Sequence, residues 1–211
     1  AFIVPIVFAL AGLLYFNDLR FGSLLEFGPN AYDRGFSTPL WLGLYGYLFT
    51  VGRSIFLYSP PIVLALFTFG SFYRRFRSEA LLFAGIVGAY LVVYSTYGYW
   101  ASGWSWGPRY LLPIIPFLTL PIAYAFESRG RRVTLATLAM LGVGVQILGV
   151  AVNYSYVYWD WINLKLAPVD AFLYVPEISP IPTHLTDLLR GRYVDLWLLW
   201  VYHQFGVALF A

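Results

Sequence analysis

The stretch of this sequence best suited to chemistry runs Gly103-Trp104-Ser105-Trp106-Gly107-Pro108-Arg109-Tyr110-Leu111-Leu112-Pro113. Arg109 is its only charge, set beside two tryptophans and just ahead of a proline-broken apolar run. A planar guanidinium at such a position can hold a phosphate through two parallel hydrogen bonds while an apolar tail lies along neighbouring helices. The chemistry this suggests is recognition of a phosphate-headed lipid, with Trp104 and Trp106 lining the rim at headgroup depth. The plainer alternative is an interfacial arginine that anchors a helix beside an aromatic belt. Other chemistries find little support. His184 and His203 stand alone, without the partner four residues away that a zinc helix shows. No Gly-x-Ser-x-Gly, P-loop or dinucleotide fingerprint occurs, and the absence of cysteine excludes disulfides, thiolate metal sites and a cysteine nucleophile. No metal and no cofactor is expected.

The elements that must position this stretch belong to a membrane. Apolar residues make up 60% of the chain and charged residues only 11%, against roughly a quarter charged in an ordinary soluble domain. The charges fall in short intervals between long apolar runs, as a bilayer solvent demands. Many of the 18 tyrosines and 8 tryptophans sit near the ends of those runs, which reads as interfacial belts. The net charge of +3 has no basic stripe behind it, so nucleic acid is not an expected partner. No basic region precedes the apolar start and no signal-type cleavage site follows it. The first run, 1–16, makes only about 24 Å of helix where a bilayer core needs about 30 Å. The last run, 196–211, ends without a polar flank. Both ends therefore suggest a piece of a longer polytopic chain.

The expected fold is an all-α, polytopic transmembrane helix bundle of five to six spans. Spans are drawn at 1–16, 55–73, 80–99, 110–126 and 133–152, with 196–211 a candidate sixth or an interfacial helix. Residues 1–152 thus form the transmembrane bundle, 17–54 its first external loop, and 153–195 a proline-punctuated external segment. Two tight turns, 74–79 and 127–132, hold six of the thirteen basic residues against two acids, while the rest of the chain holds seven against eight. The positive-inside rule puts both turns in the cytoplasm and 17–54, 100–109 and 153–195 on the opposite side. Within 17–54, the twelve residues 40–51 are apolar or small but too few to span. They read as a re-entrant or interfacial helix, with Ser37 or Thr38 as its cap and Pro39 at its first turn. Pro113, Pro116 and Pro121 within one helix length predict a bent or unwound fourth span. Gly85 and Ala89 read as a small-xxx-small packing pair, and Gln146 as the donor of an interhelical hydrogen bond.

Several runs together carry a family resemblance. They are Phe21-Gly22-Ser23-Leu24-Leu25-Glu26-Phe27-Gly28, Gly35-Phe36-Ser37-Thr38-Pro39, Gly43-Leu44-Tyr45-Gly46, Gly52-Arg53-Ser54-Ile55-Phe56-Leu57-Tyr58-Ser59-Pro60 and the Trp-Gly-Pro-Arg stretch. Over about 15–121 the chain resembles the later half of bacterial multi-pass proteins of the type C glycosyltransferase superfamily, related to protein mannosyltransferases and aminoarabinose transferases. The resemblance implies transfer of a sugar from a polyprenyl-phosphate carrier to an acceptor on the non-cytoplasmic face of a bacterial inner membrane. In that family the catalytic carboxylate usually sits in an external loop near the N-terminus, so Asp18, Glu26 and Asp33 gain no base role from it. A cation must stabilise the departing lipid phosphate. Arg109, Arg53 and Arg34 are the candidates, with Arg109 and Arg53 expected to face one cavity. The competing reading is a non-catalytic accessory subunit, packed against other membrane subunits or holding membrane lipids.

Overall fold

The computed structural model describes residues 3–25, 35–103, 105–163 and 171–196. Of the predicted features, Arg34, Trp104 and the 197–211 part of the candidate last span lie outside them. The chain divides into two units, 1–35 and 36–211. The first holds α1 (Ile3–Phe21), a 19-residue apolar helix about 28 Å long. It runs five residues past the expected end, because the polar positions Asn17, Asp18 and Arg20 continue the helix rather than leave it. Its close is at Gly22, whose left-handed backbone (φ 70°) lets its N–H reach the Asp18 carbonyl at 2.9 Å.

The second unit begins with α2 (Leu40–Phe49), ten residues and too short to cross a bilayer, as the apolar run predicts. Its cap differs from expectation. Neither Ser37 nor Thr38 caps it; Pro39 occupies the cap position and its carbonyl accepts from Leu42 and Gly43 N–H. Thr38 instead bonds the end of α5 (Arg77–Thr96), donating its N–H to the Thr96 carbonyl and its hydroxyl to the Tyr97 carbonyl, both at 3.0 Å. α2 lies close against that helix end because it presents glycines there: a Cβ on Gly43 would strike the Ser95 backbone, and one on Gly46 the Trp100 ring. Tyr47 locks the contact by donating to the Trp100 carbonyl at 2.7 Å.

The second span is broken into α3 (Ile55–Tyr58), a 3₁₀ turn over Pro60–Ile62 and α4 (Val63–Arg75). Prolines 60 and 61 lack amide protons, and Ile62 N–H bonds Ser59, so the Tyr58 carbonyl has no partner along its own helix. Gln146 on α7 (Arg129–Ala151) fills that vacancy, donating from Nε2 at 2.7 Å. The interhelical role expected of this amide is thereby met. The fourth span unwinds as its prolines predict, running as a 3₁₀ segment over Arg109–Ile114, α6 (Ile115–Thr119) and a further 3₁₀ segment over Leu120–Glu127. α4 packs along that last segment through Leu64, Ala65, Ile122 and Ala125. The Gly85/Ala89 pair, expected to mark a close helix contact, faces outward on α5 with nothing against Gly85.

Beyond α7 come α8 (Tyr154–Asn163), α9 (Ala171–Tyr174) and α10 (Pro180–Leu189). The excursion is pinned where it leaves and returns: Val152 and Val194 bridge, Asp195 N–H donates to the Ala151 carbonyl, and the Tyr193 hydroxyl donates to the Asp160 carboxylate. Among the described residues the protein is all-α, an integral membrane bundle with four helical stretches long and apolar enough to cross a bilayer: 3–21, 77–96, 109–127 and 129–151. Contacts described below gather 50–54, 97–109 and 171–184 at one end of the second unit, the end opposite the two arginine-rich turns. Single thiols introduced as Ser78→Cys and Ser155→Cys, both at exposed positions, should therefore react with a membrane-impermeant maleimide from opposite sides. Labelling of both from one side would overturn this topology.

Candidate functional site

Arg53 follows Gly52 in the turn between α2 and α3, and it is fully buried. No carboxylate pairs with it among the described residues. Its guanidinium instead donates to three backbone carbonyls: Nε to Ala101 at 2.5 Å, Nη2 to Gly103 at 2.6 Å and Nη1 to Gly52 at 3.1 Å. The 97–103 turn is shaped to meet it. Consecutive left-handed residues, Ser102 (φ 56°) and Gly103 (φ 54°), place the two far carbonyls on the same side chain. Glycine adopts that conformation freely; serine does so at a cost, here with its hydroxyl held 2.8 Å from that of Ser105. Phe172 of α9 covers the guanidinium, with its ring centroid 5.1 Å from Cζ, and Gly52 N–H bonds the Leu173 carbonyl at 3.2 Å. Tyr154 of α8 also hydrogen-bonds this arginine; burial pushes its phenol above the ordinary value and Arg53 pulls against that shift.

Six residues beyond Gly103, Arg109 opens the fourth span. Unlike Arg53 it is exposed, and among the described residues it has no hydrogen bond or ion pair through its side chain. Its one neighbour of note is the Tyr110 ring, 5.2 Å from Cζ. Tyr110 is held in turn by stacking on Tyr94 at 5.1 Å and an edge contact with Tyr97 at 5.9 Å. Arg109 lines a recess of about 60 Å³ together with Tyr58, Ser59, Trp106, Leu112, Ile115 and Gln146. Tyr58, Ser59, Ile115 and Gln146 also line a second, much larger hollow. That hollow is an apolar groove of about 630 Å³ between the broken second and fourth spans and α7, walled further by Pro61, Ile62, Gly142, Val143, Ile147 and Val150. Its size falls in the roughly 300–1,000 Å³ range of ligand sites. Arg109, without a hydrogen bond or ion pair through its side chain among the described residues, thus lines a recess that shares Tyr58, Ser59, Ile115 and Gln146 with the apolar groove.

Trp106 is half-buried and forms another wall of the recess. Its ring meets Tyr58 edge-on at 5.2 Å, and its indole N–H lies against Gly149 with no acceptor. A Cβ at position 149 would sit 2.5 Å from that nitrogen, so glycine is required on this face of α7. His184 of α10 stacks on the other side of the indole at 4.5 Å.

Of the residues singled out from sequence, the structure brings Arg109 and Trp106 together in one recess. Arg53 does not line it. The expectation that both arginines face one cavity fails, because the Arg53 guanidinium is spent on the carbonyls that shape the 101–103 turn. Its influence on the site runs through that backbone. Arg34 and Trp104 lie outside the described residues. His184, Tyr58 and Phe172 belong to the site's frame without having been given a site role from sequence: their contacts with Trp106 and Arg53 join residues far apart in the chain.

Replacing Arg53 should be among the most damaging changes in the protein. Arg53→Met leaves the Ala101 and Gly103 carbonyls buried without donors and should cost about 3–5 kcal/mol. Arg53→Lys keeps the charge but cannot reach three carbonyls set around a planar fork, and should recover only part of that loss. Thermal unfolding in detergent measures both; an unchanged midpoint for Arg53→Met would remove Arg53 from its structural role.

No family model matches this sequence, and no curated protein or solved structure matches it either.

Proposed function

We propose that this chain is the lipid-binding part of a bacterial inner-membrane glycosyltransferase, one that moves a sugar from a polyprenyl-phosphate carrier to an acceptor on the non-cytoplasmic face. The observation that carries this reading is the Arg109 guanidinium, unpaired among the described residues, in a recess beside the apolar groove. A carrier of this class has a phosphate to be held by a forked cation and a long hydrocarbon tail to be kept from water, and the recess and the groove share four lining residues. The resemblance of 15–121 to type C glycosyltransferases points the same way.

In the reaction the acceptor hydroxyl attacks the anomeric carbon, its proton passes to a carboxylate, and the bond from that carbon to the carrier phosphate breaks. The leaving prenyl phosphate gains negative charge as that bond lengthens. A cation already placed at the phosphate stabilises this charge without reorganising at the moment of reaction. Arg109 takes that role, with Trp106 shaping the recess beside it. Arg53 is a positioning residue. No catalytic carboxylate is assigned among the described residues.

The accessory-subunit reading keeps one observation in its favour, the outward-facing Gly85 and Ala89 of α5, smooth enough to accept a helix of another subunit. Arg109 variants separate the two. Arg109→Ala should lower the rate of sugar transfer from a polyprenyl-phosphate donor about 100-fold or more, the usual loss when one preorganised charge-stabilising donor is removed. Arg109→Lys should fall between the variant and the native protein, because the charge persists without the fork. Transfer that is equal in all three would reduce Arg109 to an interfacial anchor. Native protein that binds the lipid yet transfers nothing, when the full chain is assayed, would favour the accessory role.

A further inference from the structure

The external helix α10 is held down by one buried histidine. His184 has no exposed surface. Its Nδ1 donates to the Leu148 carbonyl in the last turn of α7 at 3.2 Å, which fixes the neutral tautomer with Nε2 bare. Nε2 is buried and has no hydrogen-bond partner among the described residues. The ring lies between Trp106, at 4.5 Å, and Tyr154, at 5.6 Å. Trp106 is a wall of the Arg109 recess, so α10 covers the outer side of that wall.

We propose that α10 is a proton-gated cap over the Arg109 recess, closed while His184 is neutral and released when it is protonated. This inference rests on the recess being the lipid-phosphate site argued above, since only then does the gate control anything. Protonation gives Nε2 an N–H with no acceptor and puts a charge among aromatic rings. Both effects are relieved if the helix lifts and the imidazolium meets water. Facing His184 from its own helix is Asp187, with Arg192 near it; from α8 there is Tyr154, and behind that Arg53. α7 offers the Leu148 carbonyl and the 105–107 turn offers Trp106, neither of which titrates. Asp187 and the Leu148 carbonyl favour the protonated form, but burial outweighs them and holds His184 below the ordinary histidine value. The sign follows. A docked pKa below the undocked one means docking is strongest at neutral pH and above and weakens as pH falls below about 6.5.

A thiol under the cap tests this in the otherwise cysteine-free protein. Val157 of α8 is buried and lines a small hollow with Pro180 and Thr183 of α10. The Val157→Cys thiol should be shielded while α10 is docked. Leu189→Cys, at a 79% exposed position, corrects for the reagent's own pH dependence. Between pH 7.5 and 5.5 the ratio of maleimide labelling rates, Val157→Cys over Leu189→Cys, should rise roughly tenfold. In a His184→Asn background the amide can still donate to Leu148 but cannot titrate, so the ratio should be flat across this range at whatever level it takes. A ratio that does not rise with His184 present would overturn the gate, and so would an equal rise with His184→Asn. Labelling reads the cap alone, so protein that transfers no sugar still tests it, and a transferase with a flat ratio would refute the gate while leaving the transferase reading in place.

Discussion

A guanidinium shut off from water with no carboxylate beside it must be solvated by something else, and in this protein the solvent is backbone. Arg53 collects the carbonyls of Gly52, Ala101 and Gly103, and Phe172 closes over it. Removing an ion from water costs several kcal/mol even after relaxation, so the surrounding chain is not free to adopt other shapes around it. The left-handed pair Ser102 and Gly103 is one consequence, since an extended turn would aim those carbonyls elsewhere. Three separate segments, 50–54, 101–103 and 172–173, are thereby joined at one point. The first leads into the broken second span and the second into Arg109. Where Arg109 stands is therefore decided by the arginine that is buried.

The apolar groove has a different origin. Two spans that would otherwise pack as straight rods are interrupted by proline at corresponding depth, at Pro60-Pro61 and at Pro113 and Pro116. Each break frees backbone groups that lipid cannot satisfy. Gln146 supplies one of the missing donors, and 3₁₀ pairing tightens the rest. Gly142 of α7 faces the Pro60 and Pro61 rings, close enough that an added Cβ would rest on them at ordinary van der Waals distance. The groove is lined by Ile115, Val143, Ile147 and Val150 and shares lining residues with Arg109's recess. A hydrocarbon tail suits such a space because its walls are mostly apolar and the Tyr58 carbonyl freed by the prolines is taken up by Gln146.

Features that are local in origin were legible in the sequence. Hydropathy placed the apolar stretches 77–96, 109–127 and 129–151 to within a few residues, the prolines of the fourth span announced its unwinding, and a lone amide in an apolar span announced the interhelical bond of Gln146. The end of α1 was misjudged because a helix does not stop at its first polar residue. The cap of α2 differs because Pro39 takes the cap position and Thr38 is bound to the end of α5, its hydroxyl donating to the Tyr97 carbonyl far along the chain. Gly85 and Ala89 carry a packing pattern whose partner is not in this unit. The site divides along the same line. Arg109 and Trp106 were visible as a charge and an aromatic beside a broken helix. The burial of Arg53 and the docking of His184 were not, because both depend on contacts across dozens of residues that no local pattern encodes.

The account turns on a phosphate-headed hydrocarbon lying with its head at Arg109 and its tail in the groove. A prenyl phosphate carrying a photoreactive group on its tail tests this directly, with cross-linked peptides identified by mass spectrometry. The account predicts cross-links to α7 at Val143, Ile147 or Val150, displaced by unlabelled prenyl phosphate but poorly by the uncharged prenol of equal length. Cross-links spread over the outward faces of α5 and α7, or equal displacement by phosphate and alcohol, would contradict it.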